Sequence, residues 1–121
     1  IFVKRVPAQT GISYGHCYRT KKETTIVTIP IGYADGWSRR LTNRAEAIIG
    51  GKKYPVVGAI CMDQCMIDVG DDPVELGAPV TLIGKDGEAQ ITADSIAETL
   101  GTINYEITCM LGSRVPRVYK S

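Results

Sequence analysis

Residues 45–60 read A-E-A-I-I-G-G-K-K-Y-P-V-V-G-A-I, with two apolar runs, 45–49 and 54–60, flanking Gly50-Gly51. A glycine pair between two runs rich in β-branched residues predicts a hairpin, because the tightest turns need positive φ at both central positions. The neighbouring sequence is punctuated in the same way. Gly15 and residues 24–31 (T-T-I-V-T-I-P-I) read as strand material, with Pro30 at an edge or strand end because it has no N–H for a ladder. Residues 32–37 (G-Y-A-D-G-W) form a turn-rich loop in which Asp35-Gly36 is the turn signal. Residues 65–69 predict another short strand, ended by G-D-D-P at 70–73. Residues 79–83 and 88–91 bracket Asp86-Gly87 and predict a second hairpin.

Only the last third reads as helix. Thr92 can cap a helix with Asp94 in its first turn, where a negative charge is favoured by the helix dipole. Ile96, Ala97 and Leu100 share one face, and Gly101 stops the helix. A second short helix is expected to start at Thr102, with Ile103, Ile107 and Met110 or Leu111 turned inward, and Pro116 returns the tail to extended chain. Short strands at close spacing with a small helical insert predict a mainly β fold. The expected architecture is a compact, Greek-key-like β-barrel with one or two short helices near the C-terminus.

The length of 121 residues fits one domain spanning 1–121, able to bury about 65% of its unfolded surface. With 14 Lys+Arg against 13 Asp+Glu, the net charge of +1 argues against a generic nucleic-acid or membrane-surface binder. No apolar run reaches the ~18–20 residues that cross a bilayer. Lys4 and Arg5 interrupt the start, against a signal peptide, and the start at Ile1 rather than Met points to a fragment or a processed product. No internal repeat or low-complexity segment is present.

The chemistry-bearing residues are few. Cys17, Cys61, Cys65 and Cys109 include no CxxC pair, and with one histidine, His16, they make a poor zinc set. Their simplest reading is as reduced, half-buried core residues. Phosphate-cradling and Ser/His/Asp patterns are absent. What stands out is the count of six tyrosines: Tyr14, Tyr18, Tyr33, Tyr54, Tyr105 and Tyr119. A phenol works as acid or base only when neighbours draw down its pKa of about 10, so the plain reading of each is a half-buried strand anchor.

Several longer strings together are more specific. Ile12-Ser13-Tyr14-Gly15 precedes Ile29-Pro30-Ile31-Gly32-Tyr33-Ala34-Asp35-Gly36-Trp37 and Arg39. Val57-Gly58 and Ile60-Cys61-Met62-Asp63-Gln64-Cys65-Met66 follow, then Thr102-Ile103-Asn104-Tyr105-Glu106 and Arg114-Val115-Pro116-Arg117. In this order, and over essentially the whole chain, they resemble the C-terminal domain of the alanine racemases, fold type III enzymes that use pyridoxal 5'-phosphate to interconvert L- and D-alanine.

The resemblance implies a two-domain parent whose N-terminal (β/α)₈ barrel, absent from this chain, carries the cofactor-binding lysine. It implies a cytoplasmic homodimer, paired head to tail, that supplies D-alanine for peptidoglycan synthesis without a nucleic-acid or membrane partner. Tyr14 matches the catalytic tyrosine, delivered to the partner's site to exchange the Cα proton on one face of the substrate. Met62 matches the position whose backbone N–H holds the substrate carboxylate. Tyr105 matches the tyrosine that hydrogen-bonds the cofactor phosphate, and Tyr33 and Arg39 match residues of the entrance channel. No metal is implied. The physics agrees: racemisation needs proton-transfer groups on opposite faces of Cα and an electron sink. Tyr105 also follows Thr102 near an expected helix N-terminus, where a phosphate is electrostatically favoured.

Two positions depart from the pattern. Ala59 stands where many relatives carry an arginine, removing a cation from the entrance, and His16 stands where relatives often have a small residue. Asp63 reads equally as a ligand contact or a turn carboxylate. One alternative is the membrane-tied serine racemase branch of the family, against which Tyr105 argues because that branch tends to carry Asn there. A second is a non-catalytic β-barrel interaction module that keeps the fold.

Overall fold

A computed structural model describes residues 2–12 and 18–119. Its strands are β1 (Phe2–Val6), β2 (Gly11–Ile12), β3 (Tyr18–Arg19), β4 (Thr24–Ile29), β5 (Glu46–Ile49), β6 (Lys52–Val57), β7 (Cys65–Gly70), β8 (Val80–Thr81), β9 (Gly84–Asp86) and β10 (Ala89–Ile91). Two helices follow, α1 (Ala93–Leu100) and α2 (Asn104–Cys109), so the fold is mainly β with its helices near the C-terminus, as expected.

Gly50 and Gly51 adopt φ of 61° and 79°, and the predicted hairpin forms with Ile49 opposite Lys52. β6 then pairs with β7, and β7 with β4, all antiparallel. The main sheet therefore runs β1-β4-β7-β6-β5-β8. Three hairpin-linked strands, β5 to β7, with β4 lying beside the last of them are a Greek-key arrangement. The pairings among described residues leave β1 and β8 at the two ends of this order. Pro30 lies just beyond β4, which ends at Ile29.

Alternation along β4 divides the interior. Val27 and Ile29 join Ile48, Val56, Cys65, Ile67 and Val69 in the main core, where burial pushes the Cys65 thiol up to about 12. Ile26, one residue out of phase, faces the opposite side with Val6, Ile12 and Val57. That second cluster holds the β2–β3 ribbon against the sheet, with Tyr18 packed on it.

α1 forms for the reasons legible in its sequence. The Ser95 amide donates to Thr92 Oγ1 at 3.0 Å, Ile96, Ala97 and Leu100 are buried, and Gly101 takes a left-handed conformation. Other expectations need correction. Residues 79–83 do not pair with 88–91: β8 adds to β5, and the second hairpin is β9 with β10, set off by Gly84 at φ 133°. β6 starts at Lys52 and stops at Val57, because the Gly58 amide leaves the ladder for Asn43 Oδ1 at 2.7 Å. α2 begins at Asn104 rather than at Thr102, whose amide is taken by the Ala97 carbonyl in closing α1. Ile103 consequently faces solvent at 63% exposure, while Ile107 is buried and Met110 packs on the core. Cys65 is a core residue, but Cys109 is exposed. Among the described residues no helix is long and apolar enough to cross a membrane.

Candidate functional site

The loop after β4 makes one turn of 3₁₀ helix at Tyr33–Asp35 and lies directly on the segment joining β6 to β7. The Tyr33 amide donates to the Cys61 carbonyl at 3.0 Å and the Ala34 amide to the Met62 carbonyl at 2.9 Å. Only glycine fits at position 32, since a Cβ there would sit 2.1 Å from the Cys61 oxygen. The facing segment is braced from its own side. Ile60 N–H donates to Thr42 Oγ1 at 3.1 Å, and Cys61 N–H to the Gln64 carbonyl at 2.9 Å. Thr42 follows a second 3₁₀ turn, Arg39–Leu41, which places Arg39 beside the same segment.

These contacts open a groove of about 410 Å³ lined by Tyr33, Arg39, Met62 and Asp63, with Ile60, Cys61 and Gln64 forming the rest. Three residues singled out from the sequence, Tyr33, Arg39 and Met62, thus converge although as many as 29 positions separate them in the chain. Met62 is 58% exposed, and its backbone N–H donates to no group among the described residues. A hollow of about 560 Å³ near β8 is larger, with Glu75, Lys85 and Asp86 in its lining beside Gly50, Pro73, Val74 and Pro79, and it gathers none of the residues singled out from the sequence. The presence of Tyr33, Arg39 and Met62, rather than size, distinguishes the groove.

Tyr105 does not line the groove. It sits in the first turn of α2, 75% exposed, and its phenol makes no hydrogen bond among the described residues. α2 has six residues, and Ile103 at its N-cap supplies no side-chain cap, so the phenol rather than a capped helix terminus is what this element offers. Tyr14 and His16 lie outside the described residues. Residues 13–17 are bracketed by β2 and β3, whose register sets Ile12 opposite Tyr18. The Tyr18 hydroxyl donates to Asp68 Oδ2 at 3.2 Å, and burial, reinforced by that carboxylate, pushes its pKa up. Tyr18 and Tyr54 are the strand anchors expected of tyrosines, whereas Tyr33, Tyr105 and Tyr119 are exposed. Ala59 is buried, and Asp63 lines the groove.

Sequence reading missed Asp35 as anything beyond a turn former. It is buried, and the Arg114 guanidinium, 79 positions away, holds its carboxyl below the usual carboxylate range, with the Gly32 amide adding to the effect. No local pattern announces a partner at that separation.

Greek-key topology with a groove between the Tyr33 loop and the Cys61–Met62 segment defines a mainly β domain with two short C-terminal helices. Residues 1–119 match the family profile of the alanine racemase C-terminal domain, and the chain belongs to that family. It is 50% identical over 121 residues to the alanine racemase of Clostridium novyi, covering 98% of this chain and 31% of that protein. It is 53% identical over 118 residues to that of Desulfovibrio desulfuricans, covering 97% and 31%. Among solved structures, alanine racemase from E. faecalis superposes with a TM-score of 0.94 at 48% identity, covering 99% of this chain and 32% of that one. The Bacillus anthracis alanine racemase with bound L-Ala-P gives the same TM-score, 0.94, at 48% identity, with 99% and 31% covered. The family expected from the motifs is the family found, and the chain spans about a third of the length of these relatives.

Proposed function

We propose that the chain is the C-terminal domain of a pyridoxal-phosphate-dependent alanine racemase, preceded in its parent by a barrel domain that carries the cofactor lysine. The observation that carries this reading is the convergence of Tyr33, Arg39 and Met62 on one groove, in a chain that matches alanine racemases from end to end. The parent acts as a cytoplasmic head-to-tail homodimer and supplies D-alanine for peptidoglycan synthesis.

Within that enzyme, the Met62 N–H binds the substrate carboxylate. A donor with no partner among the described residues, on a residue 58% exposed, suits a charged acceptor, and charge-assisted bonds of this kind are the stronger ones. Tyr105 holds the cofactor phosphate through its phenol, which is turned to the outside and makes no bond within the described domain. When bound, the cofactor supplies the electron sink for the bond pair that the departing Cα proton leaves behind. Tyr14 moves that proton on one face, at its phenolic oxygen, while the barrel lysine serves the other. Tyr33 and Arg39 line the approach, where Arg39 attracts the carboxylate of an incoming amino acid. The β2–β3 ribbon, whose Ile12 and Tyr18 pack on the sheet, flanks the Tyr14 position in the chain.

The test is racemisation of L-alanine by the purified full-length parent, followed by a D-alanine-specific readout. The reading expects D-alanine to form and serine to be turned over poorly. A parent that lacks an upstream barrel, or that racemises nothing, contradicts it.

A further inference from the structure

Asp35 joins two parts of the site that no other described ion pair connects. Its carboxylate, 3% exposed, accepts a fork from Arg114, with Nε to Oδ1 at 2.8 Å and Nη2 to Oδ2 at 3.1 Å. Oδ2 also accepts the Gly32 amide at 3.2 Å, and the Asp35 carbonyl accepts the Gly112 amide at 3.0 Å. One residue thus ties the Tyr33 loop to the segment that leaves α2. On its other side the same loop rests on Cys61 and Met62 at contact distance, with no room for a methyl group at Gly32. Arg114 is itself largely solvated, its side chain 59% exposed, so the buried carboxylate is the member that depends on the pair. A guanidinium fork fixes angle as well as distance, which a lysine ammonium cannot do.

We propose that Asp35 and Arg114 are positioning residues that set the Met62 amide and the Tyr33 ring in register with α2, and so govern substrate affinity in the assembled enzyme. Neither lines the groove. The inference rests on the roles given above to Met62 and Tyr105. Loosening the fork displaces the carboxylate-binding amide relative to the cofactor-binding phenol, while the proton-transfer groups, which lie on other segments, are untouched.

The experiment uses the full-length holoenzyme with Arg114→Lys, Arg114→Gln and the double variant Asp35→Asn/Arg114→Gln, which replaces the ion pair with two neutral amides. Displacing a binding group by a fraction of an ångström is expected to lower kcat/KM for alanine by about 10- to 100-fold. In Arg114→Lys the loss should lie in KM, with kcat close to wild type, and the double variant should recover part of it. Hydrogen exchange supplies the second readout. The Tyr33 and Ala34 amides, bonded to Cys61 and Met62, should exchange faster in Arg114→Lys while those of β5 to β7 stay protected. A change spread over the whole sheet, or a loss confined to kcat, overturns the proposal by making the pair a general prop of the fold. Should wild type fail to racemise alanine, the functional reading falls, and exchange at Tyr33 and Ala34 still decides what the pair positions.

Discussion

The Tyr18 phenol on β3 reaches across to β7 and donates to Asp68 Oδ2 at 3.2 Å, while Asp68 Oδ1 accepts from Thr24 and from the Gly70 amide. This bond and the packing of Ile12 hold the β2–β3 ribbon, and with it the flanks of the Tyr14 segment, to the main sheet. Tyr18→Phe keeps the packing and removes the donor. It should cost about 1 kcal/mol, the net worth of one such bond, measured as a shift in the urea midpoint. The proton-exchange rate of the parent should fall with it. An unchanged midpoint means that the ribbon is held by packing alone.

Gly32→Ala places a methyl carbon only 2.1 Å from the Cys61 carbonyl oxygen, well inside contact distance. Overpacking of this kind costs about 1–3 kcal/mol and occasionally more. Because the atoms that must move are the backbone of the groove, thermal stability and alanine turnover should drop together. A variant that keeps both leaves the close approach without consequence.

Acid should weaken the fold through Asp35. Its folded carboxyl titrates below its unfolded value of about 4, so the unfolded state binds more protons in that range. The contribution of the pair is therefore fully present above about pH 4 and is lost as pH falls through the lower folded value. Asp71 beside Arg5 and Asp72 beside Lys52 shift in the same direction. Urea unfolding from pH 7 down to pH 3 should show Asp35→Asn less stable than wild type at pH 7 and with a shallower acid decline. Parallel curves contradict this.

Tyr105→Asn in the parent shortens an exposed phenol while keeping a hydrogen-bond donor. If the ring also limits the substrate side chain, a serine hydroxymethyl gains room, and discrimination should move by about 1–3 kcal/mol. Steady-state rates for both amino acids measure it. The serine-to-alanine ratio of kcat/KM should rise while alanine activity falls. A constant ratio with both activities reduced confines Tyr105 to holding the cofactor.

Most of the fold was legible where its causes are local. Gly50-Gly51, the Thr92 cap, Gly101 and Pro30 each act within a few residues, and the structure uses each as the sequence implied. Pairings set by distant partners were not. β8 adds to β5 across more than thirty positions, and Thr102 is drawn from α2 into the closing bond of α1. The site follows the same division. Tyr33, Arg39 and Met62 were legible as parts of long motifs, and the groove brings them together. Asp35 looked like a turn residue because its partner, Arg114, arrives from the other end of the chain. The helix expected to start at Thr102 starts at Asn104, which leaves Tyr105 in its first turn, because the Thr102 amide is bonded to the Ala97 carbonyl.

The central claim is that this domain contributes one of two proton-transfer groups, and Cα-proton exchange in deuterated buffer tests it most directly. In the full-length enzyme, Tyr14→Phe keeps the ring and removes the atom that carries the proton. Exchange from one enantiomer should fall by about 10²–10⁴-fold, the worth of a general acid–base group, while exchange from the other enantiomer is largely retained. Equal and mild slowing from both enantiomers would contradict the account and leave Tyr14 a packing residue.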